Sequence, residues 1–124
     1  MLLVCSCRNP SQPPTPLGVS FDLTPGNSAT LSNGLTLTFN AVTEDSRCPI
    51  GVFCVSAGDA TVVVTLSQNG PGAQRQLHTN RDPSEVVYST SVVKLLSLAP
   101  FPRADHPIGA KEYVATFRVD TPTP

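Results

Sequence analysis

Cys48 and Cys54 bracket five residues in SRCPIGVFCVSAGDA (46–60). Thiols so placed can hold a metal, exchange electrons, attack a substrate or close a disulfide. A structural zinc site ordinarily gathers four ligands at short spacings, as two CxxC pairs or with neighbouring histidines. Here His78 and His106 are remote in sequence, each alone in a polar stretch. A thioredoxin-like dithiol wants CxxC at a helix start, whereas CPIGVFC leads into a β-branched, glycine-containing run. A cysteine nucleophile needs a histidine base, which only a tertiary contact from His78 or His106 would supply. Ser, Asp and His are present, but no G-x-S-x-G elbow or H-E-x-x-H helix gives them a catalytic setting. The expectation is a non-enzyme without metal or cofactor. A small metal-dependent or thiol enzyme is the alternative.

Four charged residues, Glu44, Asp45, Arg47 and Asp59, surround the cysteine pair. As a solvated rim, such charges contribute about 0–1 kcal/mol per exposed pair. As part of a rigid protrusion they make a candidate recognition loop, because a preordered loop loses little entropy on binding. Glu44, Asp45 and Asp59 match the ligand spacing of no known calcium loop. Asp105-His106 lies in the proline-rich PFPRADHPIG, where a lone histidine is ordinarily solvated.

The compartment decides the cysteine chemistry, and the N-terminus bears on it. MLLVCSC resembles the end of a bacterial lipoprotein signal peptide, in which a small residue precedes the cysteine that becomes lipidated. Ser6 then stands before the cut and Cys7 becomes the lipidated N-terminus. A basic n-region and most of the apolar core are missing, so the reading frame is expected to start further upstream. RNPSQPPTP (8–16) follows as an extended tether of at most about 30 Å. The resemblance implies an exported, membrane-anchored envelope protein; the alternative is a secreted or periplasmic one. In an exported protein an even cysteine pair at this spacing is a disulfide, which stabilises the fold by about 2 kcal/mol.

Composition narrows the partners. The net charge of −1 and pI near 6.0 offer no basic face for nucleic acid. No tryptophan and only seven other aromatics argue against a platform for stacked bases or sugars. No apolar run approaches the roughly 20 residues of a transmembrane helix.

The elements that must position the cysteine loop follow a two-residue period. LTLTFNAV (35–42) puts Leu35, Leu37, Phe39 and Ala41 on one face, after an Asn33-Gly34 turn paired back to SATL (28–31). ATVVVTLS (60–67) alternates Ala60, Val62, Val64 and Leu66 inward and ends at the turn Asn69-Gly70-Pro71-Gly72. AQRQLHT (73–79) pairs back as a polar strand. EYVATFRV places Tyr113, Ala115, Phe117 and Val119 on one side, and VSFDL (19–23) and VVKLLSLA (92–99) complete the set. SEVVYSTSVVKLLSLA (84–99) has helical length, but its Val, Ser and Thr content favours two strands joined at 89–91. About seven short strands predict an all-β, antiparallel β-sandwich of immunoglobulin-like shape over residues 17–120, with 121–124 as a tail.

SRCPIGVFCVSAGDATVVV also resembles the signature SRCP-x-x-V-x-C-x-W-A-G-x-A-x-V of uncharacterised bacterial exported proteins and lipoproteins. Ser46, Arg47, Cys48, Pro49, Val52, Cys54, Ala57, Gly58 and Ala60 match, whereas Ser56 stands where the pattern has tryptophan. GLTLTFNAVTEDSRCP and the pair LLSLAPFP and EYVATFRV resemble the flanking strands, so the likeness covers most of 20–120. It implies export and a β-rich module, and no known chemistry. The function expected is a non-catalytic envelope lipoprotein or secreted module with a binding or structural role and an envelope protein as partner. The alternative is an inhibitor that plugs an envelope protease or muramidase with loop 44–59 or 100–109.

Overall fold

Alternation of side chains sorts this chain into two layers. In the computed structural model, which describes residues 14–121, eight strands and no helix form. They are β1 (Phe21–Leu23), β2 (Ser28–Thr30), β3 (Thr36–Asp45), β4 (Ala60–Ser67), β5 (Ala73–His78), β6 (Glu85–Tyr88), β7 (Ser91–Ala99) and β8 (Val114–Asp120). One sheet has the order β1-β8-β7-β6 and the other β2-β3-β4-β5, with every neighbouring pair antiparallel. The sandwich expected from the sequence is therefore present. Residues 84–99 form two strands, with Ser89 at a positive φ of 55° between them. Each sheet is built from consecutive hairpins, with β1 added beside β8. This order departs from the immunoglobulin arrangement, in which non-consecutive strands lie side by side within each sheet.

The inward residues read from the two-residue period fill the space between the layers. Leu35, Leu37, Phe39, Val62, Val64, Leu66, Ala115, Phe117 and Val119 are fully buried, and Phe39 meets Phe117 edge to face at 6.2 Å. The exception is Ala41, which is only half-buried. A β-bulge between Phe39 and Ala41 resets the alternation, so Val42 packs toward the core instead. At the lateral seam Arg75 of β5 lies over the Tyr88 ring of β6, 6.0 Å from its centroid.

The strands define two poles. At the lower pole lie the Asn33-Gly34 turn, with Gly34 at φ 92°, and the Asn69-Gly70 turn, with Asn69 at φ 61°. Asn33 Nδ2 donates to Ser91 Oγ across the layers at 2.8 Å. Both ends of the described chain are here too. Gly18 N donates to Val119 O at 2.8 Å, and Thr15 N donates to Thr30 O at 2.8 Å. Thr15 is the one residue of Pro13-Pro14-Thr15-Pro16 with a backbone donor, so the end of the expected tether docks on the sandwich. Cys7, with the rest of 1–13, and residues 122–124 lie outside the described residues. The upper pole, some 30 Å away along the ten-residue β3, carries the connections 46–59, 79–84 and 100–113.

Candidate functional site

Segment 46–59 leaves β3 and returns to β4 as a continuation of their hairpin. Its neck is a short ladder: Ser46 N donates to Asp59 O at 2.7 Å, and Cys48 N donates to Ala57 O at 2.9 Å. Ser46 Oγ both donates to Asp59 O and accepts from Asp59 N. Gly58 sits at φ 71°, and a Cβ there would lie 1.8 Å from Ser46 O, so the neck closes only over glycine. Beyond the neck, Cys48 and Cys54 form a disulfide with their Cα atoms 5.9 Å apart. The tip is stapled.

Arg47 points inward from this neck and is 6% exposed. Its Nε and Nη2 make a fork to Asp45 Oδ1 and Oδ2 at 2.8 and 2.7 Å. The same guanidinium donates to Leu98 O at 2.7 Å and Pro100 O at 3.0 Å in the opposite layer, and lies 5.6 Å from the Phe101 ring centroid. β6 pairs with β7 only from Ser91 to Lys94, so the upper half of β7 has a strand on one side alone. Arg47 supplies donors to the carbonyls at that end, and Tyr113 OH, just ahead of β8, donates to Asp45 Oδ2 at 3.0 Å. One ion pair thus ties β3 to β7 and β8. A small depression of about 180 Å³ opens beside it, lined in part by Arg47, Asn80, Leu95, Leu98 and Phe101.

Burial pushes the Asp45 carboxyl upward, but hydrogen bonds from Arg47 and Tyr113 outweigh it and hold the pKa below the usual carboxylate value. Burial, then the hydrogen bond to Asp45, pushes Tyr113 up to about 12. A second cluster braces the other side of the neck. Asp59 Oδ2 lies 2.8 Å from His78 Nδ1 and Asp59 Oδ1 accepts from Asn80 N at 2.8 Å, with Arg81 Nε 3.4 Å away. Burial again raises the carboxyl, and the Asn80 and His78 hydrogen bonds overcome it, so Asp59 also lies below the usual value. Thr61 Oγ1 is 3.3 Å from the same His78 nitrogen.

The four charged residues singled out in the sequence therefore divide. Glu44 is exposed on the rim, while Asp45, Arg47 and Asp59 turn inward to hold the neck. The large side chains that face solvent at the tip are apolar. Phe53 is 97% exposed, Val55 is fully exposed, and Ile50 and Val52 are exposed beside them. Segment 100–109, the second candidate loop, is joined to this tip: Ile50 N donates to Pro102 O at 2.8 Å, Ile50 bridges Arg103, and Phe101 is 64% exposed. Ser56, at the tryptophan position of the signature, is exposed on the same tip.

Sequence reasoning passed over two features. His78 stands alone in the sequence, yet counting outward from the Asn69-Gly70 turn opposes Thr61 with His78 and sets Asp59 beside it. The apolar tip is legible as PIGVF between the cysteines, set among charged neighbours. Among the described residues no group of three or more His, Cys, Asp or Glu is placed to hold a metal ion, and no helix is long and apolar enough to cross a membrane. No family model, curated protein or solved structure matches the chain.

Proposed function

We propose that this chain is a non-catalytic binding module of the cell envelope, exported, anchored through a lipidated Cys7 or secreted, and working through its stapled upper pole. One observation carries the reading: segments 46–59 and 100–109 come together as a single braced pole that exposes five large apolar side chains, Ile50, Val52, Phe53, Val55 and Phe101. A soluble β-sandwich has no folding reason to present Phe53 and Val55 to water, and apolar groups so displayed mark interaction sites. The disulfide supports an oxidising compartment, where such bonds persist. The resemblance of SRCPIGVFC to exported bacterial proteins and of MLLVCSC to a lipoprotein signal points the same way.

A second reading, an inhibitor of an envelope protease or muramidase, draws on Phe53 standing out between Val52 and Cys54 on a stapled loop, a form suited to plugging a cleft. The test of the compartment is the intact mass of the protein extracted from its own cells, with the upstream reading frame restored. The expected product starts at Cys7, carries acyl chains and has no free thiol at Cys48 or Cys54. An unlipidated product with both thiols free would place the chain in a reducing compartment and end the envelope reading.

A further inference from the structure

We propose that the upper pole docks into a protein cleft with an apolar floor and a basic lip, and not into a membrane or a second copy of this chain. The inference rests on the binding-module reading and adds the class of partner. Ile50, Val52, Phe53, Val55 and Phe101 are all exposed within one pole. At about 200 Å² for a freely exposed aromatic side chain, they present roughly 500–600 Å² of apolar surface. That is most of the roughly 800 Å² that one partner contributes to a stable protein interface. The surface is also preordered, by the disulfide, the Ser46–Asp59 and Cys48–Ala57 ladder, and the hydrogen bond from Ile50 to Pro102. Little conformational entropy is left to lose on docking.

Three observations select the occupant. The first is charge. Around the tip, in 44–59, 79–84 and 100–113, six carboxylates (Glu44, Asp45, Asp59, Asp82, Asp105, Glu112) face four cations (Arg47, Arg81, Arg103, Lys111), a balance of −2. Three of those cations already lie against carboxylates: Arg47 on Asp45, Arg81 on Asp59 and Arg103 on Asp105. Such a pole is repelled by an anionic bilayer, which attracts basic segments, and complements a basic lip. The second is shape. The tip is a stapled protrusion, and two protrusions meeting end to end bury little of either. The concavity beside it, about 180 Å³, lies on the same pole and is partly walled by Arg47 and Phe101. The third is direction. Thr15 and Asp120, where the described chain enters and leaves, sit at the lower pole. The tip points away from both of these places.

The experiment places a photo-crosslinking benzoyl-phenylalanine at position 53, and at Val87 of β6 as an exposed control, in the protein expressed in its own cells. The purified protein is tested in parallel against vesicles of phosphatidylethanolamine and phosphatidylglycerol and by sedimentation equilibrium. We expect a protein adduct from position 53 and none from 87. Excess purified wild-type protein should suppress it, whereas Phe53→Asp or Ile50→Asp protein should compete at least about tenfold less well, as for a central anchor. Both variants should keep the urea midpoint of the wild type, since neither side chain is buried. Vesicle binding lost in Phe53→Asp would overturn the protein cleft in favour of a lipid surface. A concentration-dependent dimer lost in Phe53→Asp would overturn it in favour of self-association. A saturable adduct from 87 but not from 53 would overturn the tip and leave a binding module standing. No adduct from either position, with no vesicle binding and no dimer, would overturn this inference and the binding-module reading together.

Discussion

Replacing Arg47 with methionine keeps most of the side-chain volume and removes one charge from the place where the layers are tied. Four hydrogen bonds vanish: two to Asp45, one to Leu98 O and one to Pro100 O. The Asp45 side chain, only 12% exposed, is left with Tyr113 as its remaining side-chain donor. Breaking one partner out of a buried ion pair costs about 3–5 kcal/mol, because the other charge stays buried without compensation. Lys in place of Arg should lose less, keeping the charge but not the fork. The chain has no tryptophan, so urea unfolding is followed by far-ultraviolet circular dichroism. For a slope of about 1–2 kcal/mol/M the midpoint should fall by roughly 1.5–5 M with the slope unchanged. The deficit should also depend on pH. In the wild type Asp45 lies below its unfolded pKa, so its contribution is full above that value and is lost as pH falls through the folded one. In Arg47→Met burial prevails and the Asp45 pKa rises, so the variant is penalised above its unfolded value and recovers as the carboxyl protonates. The gap between the two proteins should therefore narrow from pH 7 to pH 4. A loss under about 1 kcal/mol at pH 7, or a gap that does not move with pH, would refute the clamp.

Three further outcomes are expected. The double variant Cys48→Ser/Cys54→Ser should lose about 2 kcal/mol, keep its β-sheet dichroism and become cleavable by protease within 49–56. Gly58→Ala should cost at least about 2 kcal/mol in the same urea titration, from the clash with Ser46 O and the positive φ together. At the alkaline end, Tyr113 is raised to about 12 in the fold, so its contribution is full below the ordinary tyrosine value of about 10 and is lost as pH rises through 12. The two-unit gap is worth about 2–3 kcal/mol, and Tyr113→Phe should abolish this alkaline loss while lowering stability at pH 7.

What the sequence disclosed followed from local rules. Ala60, Val62, Val64 and Leu66 point inward because a strand repeats every two residues, and the β2–β3 and β4–β5 turns are marked by Asn-Gly. Ala41 escaped that rule because a bulge is a property of two strands, not of one. Arg47 was illegible for a different reason. Its carbonyl partners are 51 and 53 residues away, at and just past the end of a strand left half-paired by the shortness of β6, and nothing near TEDSRCP announces a missing neighbour. Charge in a polar stretch reads as surface until the other layer is placed. Asp59 and His78 lay in between, recoverable by counting from one turn.

The neck between sandwich and tip separates two kinds of constraint. Ser46, Arg47, Gly58 and Asp59 answer to the fold through bonds that face the core or cross the ladder. Pro49 to Ser56 answer chiefly to the staple and to whatever meets them from outside, their side chains largely clear of the buried core. Substitutions at the tip can change its chemistry while leaving the stability of the layers intact, so the exposed surface and the framework can vary independently. The same separation makes the segment a graft site: a foreign stretch of matching length, closed by the two cysteines, inherits a rigid mount facing away from Thr15 and Asp120.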